Sequence, residues 1–132
     1  MFQGIDAADY QQMFDSLTSS GSRPVDLCGF TVAGRDLYAG IFVQIPGPAW
    51  AARHGLSAAE YQQEFDDLVG QGYRLKSVRG WPSGDEALYA AIWVQMPGPA
   101  WVARHGLSAA EYQQEFDTLV GQGYRLTHVS GY

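Results

Sequence analysis

The chain has 132 residues, of which 46% are hydrophobic and 17% charged, a composition that excludes a disordered tail and suits one globular domain. Its formal net charge is −6 and Lys76 is its single lysine, so no basic stripe can neutralise phosphates and nucleic acid is not an expected partner. No apolar run approaches the ~20 residues of a membrane span, so no membrane partner is expected either.

Three stretches carry the signals of an amphipathic helix. The first begins near Asp6, and the others begin at Ser57 and Ser108, where a glutamate three residues later completes a capping box. In each stretch a tyrosine, a phenylalanine and a leucine then recur at helical spacing, and a glycine suits the end. The tyrosines are Tyr10, Tyr61 and Tyr112, and the glycines are Gly21, Gly72 and Gly123. The sequence predicts three helices of about 14 residues.

Strand candidates follow the first two helices in pairs. Arg74–Trp81 and Leu88–Met96 flank turn residues and predict a hairpin, and 31–36 with 37–45 repeat it. The connectors 46–55 and 97–106 return to the next helix. Because a proline can open a helix and a glycine can close one, we expect a short helical turn in each connector.

The elements recur with a period of 51 residues. Shifting the sequence by that amount superimposes 50–81 on 101–132 with 26 of 32 positions identical, and a diverged copy lies at the N terminus. The units run roughly over 1–50, 51–101 and 102–132, and the third is incomplete. The pattern predicts a single α+β domain, with a mainly antiparallel sheet and helices packed on it.

The third unit ends with a strand candidate, Arg125–Tyr132, that lacks the hairpin partner present in the other copies. An unpaired strand is an adhesive edge. The strand pairs within the sheet, or with a second chain, or the polypeptide is one section of a longer array. We expect a homo-oligomer formed through this strand.

The string that runs from Gly47 to Leu75, and again from Gly98 to Leu126, resembles the bacterial tandem-repeat domain. That repeat occurs beside serine hydrolases of the β-lactamase type and is similar to the N-terminal domain of fungal polyglycine hydrolases. The resemblance covers nearly the whole chain and implies a secreted or cell-surface location, although residues 1–4 show no secretory signal. No Ser-x-x-Lys motif is present, because Tyr73 stands three residues before Lys76, so protease activity is not carried over.

Two connector triplets are the best candidates for a binding site, since each combines an aromatic ring, a planar cation and a titratable ring. They are Trp50, Arg53 and His54, and Trp101, Arg104 and His105. In the alternative interpretation, the tryptophans pack under the hairpins while the arginines and histidines cap helices or pair with Asp66 and Asp117. Phe2 and Gln3 replace the arginine and histidine in the first unit, which predicts two sites per chain.

Other repeated residues are more simply structural. Arg23, Arg74 and Arg125 are expected to pair with Asp15, Asp66 and Asp117, tying strand to helix. Tyr38, Tyr89, Trp81 and Trp93 either line a sugar-stacking groove or form core.

Cys28 has no histidine nearby in sequence to make it a nucleophile. His54, His105 and His128 could bind a metal only if folding gathered them, so we expect no cofactor and no metal.

Three functions follow from these features. The first is a non-catalytic recognition module that binds a carbohydrate or an extended peptide through the aromatic and Arg-His connectors. The second is a structural or self-assembly module, associated with copies of itself or accessory to a serine hydrolase. An enzyme is the least favoured, because the sequence offers no nucleophile–base pair, phosphate loop or metal spacing.

Overall fold

A computed structural model describes residues 2–96 and 100–129, with backbone alone for Phe2 and Gln3. The chain divides into two compact units, one within residues 2–96 and the other within 100–129. The elements of the first unit are β1 (Phe2–Asp6), α1 (Ala7–Ser19), β2 (Arg23–Val32), β3 (Arg35–Val43), β4 (Trp50–Leu56), α2 (Ala58–Gly70), β5 (Tyr73–Ser83) and β6 (Glu86–Gln95). The second unit contains α3 (Ala109–Gly121).

The first two repeats share one topology, strand-helix-strand-strand. Each forms a three-stranded antiparallel sheet, with the order β1-β3-β2 in one and β4-β6-β5 in the other. The last strand of each repeat is therefore the central one. Helix α1 lies against β1 and β3, and α2 lies against all three strands of its sheet. The predicted α+β fold with helices on antiparallel sheet is confirmed.

Local signals set the helix boundaries as the sequence predicts. Ser57 and Glu60 form a capping box, with the backbone N–H of Glu60 donating to Ser57 Oγ at 3.2 Å and that of Ser57 donating to Glu60 Oε1 at 2.9 Å. Ser108 and Glu111 repeat this geometry. Each helix spans 13 residues, and Gly72, just beyond α2, has the positive φ of +91° that a helix end favours.

The core consists of two clusters, one on each side of β6. Ala90 and Ile92 pack into a cluster that includes Tyr10 and Tyr38 of the first repeat. Tyr89, Ala91 and Trp93 face the opposite way, onto helix α2. Because β6 is buried on both faces, its residues read as an apolar run without clean alternation.

The prediction of a helical turn in the first connector, 46–55, is wrong. Trp50–Leu56 forms strand β4, which pairs with β6 so that Trp50 lies opposite Val94 and Arg53 opposite Ala91. The register shifts between Arg53 and Leu56, where Gly55 has a φ of +65°. Gly55 thus serves a β-bulge and does not end a helix.

The third repeat departs from the other two. Residues 101–107 and 124–129 have no regular secondary structure, so the predicted strand over 125–132 does not form in its described part, 125–129. Residues 97–99 and 130–132, which belong to the second connector and the terminal strand prediction, lie outside the described residues. The expected self-association stays a prediction. Across residues 2–96 and 100–129, no helix is long and apolar enough to cross a membrane.

Candidate functional site

Strand β4 carries the first candidate triplet and presents it to helix α1. The imidazole of His54 lies between two tyrosines of the first repeat, with ring centroids 4.4 Å from Tyr10 and 5.1 Å from Tyr38. Burial among these rings lowers the pKa of His54 below its ordinary value, because the charged form loses its hydration. The ring is therefore an aromatic packing element at neutral pH.

The Arg53 side chain lies on the outer part of the same strand. Its Nε is 3.3 Å from Glu64 Oε2 on α2, and its Nη1 donates to the carbonyl oxygen of Ala52 at 2.9 Å. The interpretation that Arg53 pairs with Asp66 is wrong, because the register of β4 brings the guanidinium to Glu64. Since both groups are well exposed, this pair contributes at most about 1 kcal/mol.

The Trp50 ring is half-buried and packs on helix α1 of the preceding repeat. It meets Phe14 edge to face with centroids 5.7 Å apart, and Phe14 meets Phe42 of β3 at the same distance. The tryptophan thus takes a structural position against a helix, whereas the sequence interpretation set it under a hairpin.

A shallow depression of about 320 Å³ opens between α1 and β4. Its lining residues are Gln11, Phe14, Ala52, Arg53 and His54. The volume is at the lower end for a small-molecule site, and the lining supplies one amide, one guanidinium and one neutral imidazole. These groups can donate to or accept from hydroxyl and carbonyl oxygens.

The second triplet has a different backbone around it. Trp101 and His105 are partly buried and Arg104 is exposed, in a segment that is not a strand. Arg104 Nε lies 3.8 Å from Glu115 Oε2, the counterpart of the Arg53 pair, and burial lowers the pKa of His105. The expected pairing with Asp117 is therefore wrong for Arg104.

The other candidate aromatic residues lie in the core, and the repeated aspartates lie at exposed positions of the helices. Tyr38, Tyr89, Trp81 and Trp93 are all buried, so they form core and not a sugar-stacking groove. Asp15, Asp66 and Asp117 each accept from the side-chain amide of a glutamine four residues earlier on the same helix, at 2.9 to 3.0 Å. Within the described ranges, no group of three or more His, Cys, Asp or Glu residues could hold a metal ion.

Cys28 lies half-buried on β2. Burial raises the pKa of its thiol, and Asp26 adds to this while Arg79 and the backbone of Ala39 oppose it. A thiol with a raised pKa holds little thiolate at neutral pH, so Cys28 is a poor nucleophile.

Sequence reasoning missed the polar junction between the β2–β3 hairpin of the first repeat and β5 of the second. Arg79 and Asp26 form a two-bond pair, with Nε and Nη2 donating at 3.2 and 3.1 Å. Asp36 accepts from Trp81 Nε1 at 3.3 Å and from Ser83 Oγ at 2.9 Å. A signal existed in the sequence, because positions 77, 79 and 81 on β5 are among the six that differ from the third copy.

The hydrogen bonds at this junction also set the ionisation of Asp36. Burial alone would raise its pKa, but donation from Thr31, Ser83 and Trp81 outweighs burial and holds the pKa below its ordinary value. The carboxylate is therefore charged at neutral pH and fixes the end of β5 against the first hairpin.

Taken together, the topology and the shared core define the class: a tandem-repeat protein of strand-helix-strand-strand units. The family model described as "polyglycine hydrolase-like, structural repeat" matches residues 1–45, 47–96 and 98–132. The chain belongs to this family of structural repeats, as the resemblance in its sequence implies.

Proposed function

We propose that the chain is a non-catalytic structural module, whose first two repeats form a rigid scaffold by packing on one another. The observation that carries the proposal is the position of Trp81. This residue belongs to the second repeat, is 3% exposed, and lies edge to face on Tyr38 of the first repeat with centroids 5.6 Å apart. A repeat that functioned alone would not need to bury one of its tryptophans against its neighbour.

The packing around Trp81 supports the same function. Its ring lies so close to Gly29 that a Cβ on Gly29 would overlap it. The Thr31 hydroxyl shares its single proton between Asp36 Oδ1 and the Pro82 carbonyl oxygen, each 2.8 Å away. The candidate binding residues serve the same packing, since His54 and Trp50 fill the space beside α1.

Replacement of Trp81 by alanine in the full chain tests the proposal. We expect a loss of about 3–5 kcal/mol in the free energy of unfolding, with α1 and α2 losing hydrogen-exchange protection together. Val32→Ala, at an exposed position of β2, is the control and should change little. Loss of protection confined to α2, with α1 unaffected, would show that the repeats fold independently.

A second candidate function, recognition of an extended peptide or a carbohydrate, is favoured by the depression between α1 and β4. Its Gln11 and Arg53 side chains are exposed and could bind backbone carbonyls or sugar hydroxyls. Peptide and glycan arrays should be compared for the wild type, Arg53→Ala and Trp50→Ala. Arg104→Ala is the matched control, because Arg104 has the same kind of carboxylate partner but does not line this depression.

A further inference from the structure

The first sheet, β1-β3-β2, uses one of its two faces in the core. Tyr38 of β3 meets Tyr10 of α1 with ring centroids 5.2 Å apart, so this face lies toward the helix and the second repeat. Side chains alternate along a strand and cross-strand partners share a face, so the register of β2 and β3 defines the opposite face. This opposite face, which we call the outer face, consists of Cys28, Phe30, Leu37, Ala39 and Ile41.

The outer face is apolar and less covered than its counterpart in the second repeat. Ile41 is 42% exposed, whereas the equivalent residue of β6, Ile92, is 1% exposed. Ala39 is half-buried, whereas its equivalent Ala90 packs against the first repeat. Within residues 2–96, neither core cluster includes a member of the outer face. The same strand surface is therefore an interface in the second repeat and partly exposed in the first.

The outer face also differs from its counterpart in its polar groups. In the second repeat, Arg79 and Trp81 donate hydrogen bonds to two aspartates of the first repeat. The 51-residue shift places Cys28 at the position of Arg79 and Phe30 at that of Trp81. A phenyl ring has no donor and a thiol is a weak one, so a carboxylate brought onto this face would be buried without adequate hydrogen bonds. The outer face therefore suits an apolar partner, and not a repeat that carries those two aspartates.

The charges around the outer face are balanced locally. The chain carries a net charge of −6, so two copies repel each other at long range. Two acidic cross-strand neighbours of this face are paired within the chain, however, Asp26 with Arg79 at 3.1 Å and Asp6 with Arg35 at 3.8 Å. The face itself is uncharged at neutral pH, because burial raises the pKa of the Cys28 thiol. A second copy can therefore approach this face without bringing like charges together.

We propose that the outer face is a dimerisation surface, which packs against the same face of a second copy of the chain. In a two-fold dimer each surface meets itself, and an apolar surface with balanced charges is complementary to itself. Two sheets pack face to face at a separation of about 10 Å, which brings Phe30 and Ile41 of one copy against the sheet of the other. The inner face stays packed on α1 and the second repeat, so this inference goes beyond the proposed packing of the repeats and does not depend on it.

Light scattering of the full chain over a range of concentrations tests the proposal. We expect the mass to double as the concentration rises through the micromolar range, as for a small, weak interface. Ile41→Lys places a charge on the outer face and should leave a monomer at every concentration. Ile45→Lys is the matched control, because Ile45 is 61% exposed and lies beyond the end of β3, so this variant should still dimerise. Both variants should keep the wild-type urea midpoint at low concentration, since both isoleucines are exposed.

The native Cys28 locates the contact without an added label. Its thiol is half-buried on the outer face, opposite Ala39, so a partner on this face should cover it. The rate of its reaction with a thiol reagent should fall at least about threefold between the concentrations that give monomer and those that give dimer. In Ile41→Lys the rate should not depend on the concentration of the chain.

Several results would overturn the inference. A wild-type chain that stays monomeric up to the millimolar range would remove it. A doubled mass that persists in Ile41→Lys, or that leaves the reaction of Cys28 unchanged, would place the association on another surface. Species that grow beyond a dimer would indicate a head-to-tail contact, and a monomer that binds phosphatidylcholine vesicles through Ile41 would assign the outer face to a lipid surface.

Discussion

At Gly29, the absence of a side chain allows the first two repeats to approach each other closely. The Trp81 ring occupies the space that a Cβ would need, and the ring is itself held by Tyr38 and by the Asp36 carboxylate. The glycine recurs in every copy of the repeat, as Gly80 and Gly131. At position 29 a glycine is required because the indole of Trp81, from another repeat, lies against the backbone.

Gly29→Ala should therefore destabilise the first unit by about 1–3 kcal/mol, because a buried ring with neighbours on both sides cannot move aside freely. The free energy of unfolding from urea titration measures the effect. Gly70→Ala is the matched control: Gly70 lies in helix α2 with no atom within 4 Å of its would-be Cβ, so alanine should stabilise by roughly 0.5–1 kcal/mol. Equal effects of the two substitutions would contradict the close approach of Gly29 to Trp81.

His54 links stability to pH because its folded pKa is lower than the unfolded value of about 6.5. The unfolded chain then binds the proton more readily, so the stabilisation is present above pH ~6.5 and is lost as the pH falls through the folded pKa. We expect the free energy of unfolding to fall as the pH is lowered below about 6.5. In His54→Phe, which keeps a ring beside Tyr10 and Tyr38, the fall should be smaller.

His105→Phe provides the comparison for this pH measurement. Burial also lowers the pKa of His105, so this variant should lose its own share of the pH dependence and keep that of His54. An unchanged pH profile in His54→Phe would mean that the imidazole is not desolvated by the two tyrosines.

At the scale of elements, identical caps serve helices with unlike surroundings. Ser57 and Ser108 make the same capping-box bonds, but Tyr61 and Leu68 of α2 are buried in the core while α3 buries none of its described residues. A cap holds the first turn of a helix, so the consequence of losing it depends on what that turn supports.

Ser57→Ala should cost about 0.5–2 kcal/mol in the free energy of unfolding of the first unit, since α2 is part of its core. Ser108→Ala should reduce the local hydrogen-exchange protection of α3 and leave the urea midpoint of the first unit unchanged. Each variant is the control for the other. A shift of that midpoint by Ser108→Ala would contradict this expectation.

At the scale of the whole molecule, the compact units within 2–96 and 100–129 differ in how much core they contain. The first holds both buried clusters, whereas residues 100–129 contain no buried side chain among those described. Stability within a protein follows buried apolar contacts, so the two units should open with different free energies.

Native-state hydrogen exchange checks this difference directly. Amides of α1 and α2 should exchange only through global unfolding, with a strong dependence on denaturant, while amides of α3 should exchange through local opening with little dependence. Equal free energies of opening for all three helices would show that the third repeat is as stable as the others.

Features whose causes lie within a few residues can be predicted from the sequence. The capping boxes and the tyrosine-phenylalanine-leucine stripes fixed the three helices, and turn residues at 82–86 fixed the hairpin. The near-identity of the copies also determined the repeat and the family. These signals are local or periodic, so no knowledge of distant contacts was needed.

Features that depend on a partner far along the chain become visible only in the folded protein. Trp50–Leu56 is a strand that pairs with β6, whereas the nearly identical segment 101–107 has no regular secondary structure. The register of β4 then places Arg53 against Glu64 and His54 between two tyrosines. Two residues of the candidate binding triplet therefore make contacts within the fold. Pairing partners and side-chain neighbours at such separations are set by the assembled core, which local sequence patterns do not encode.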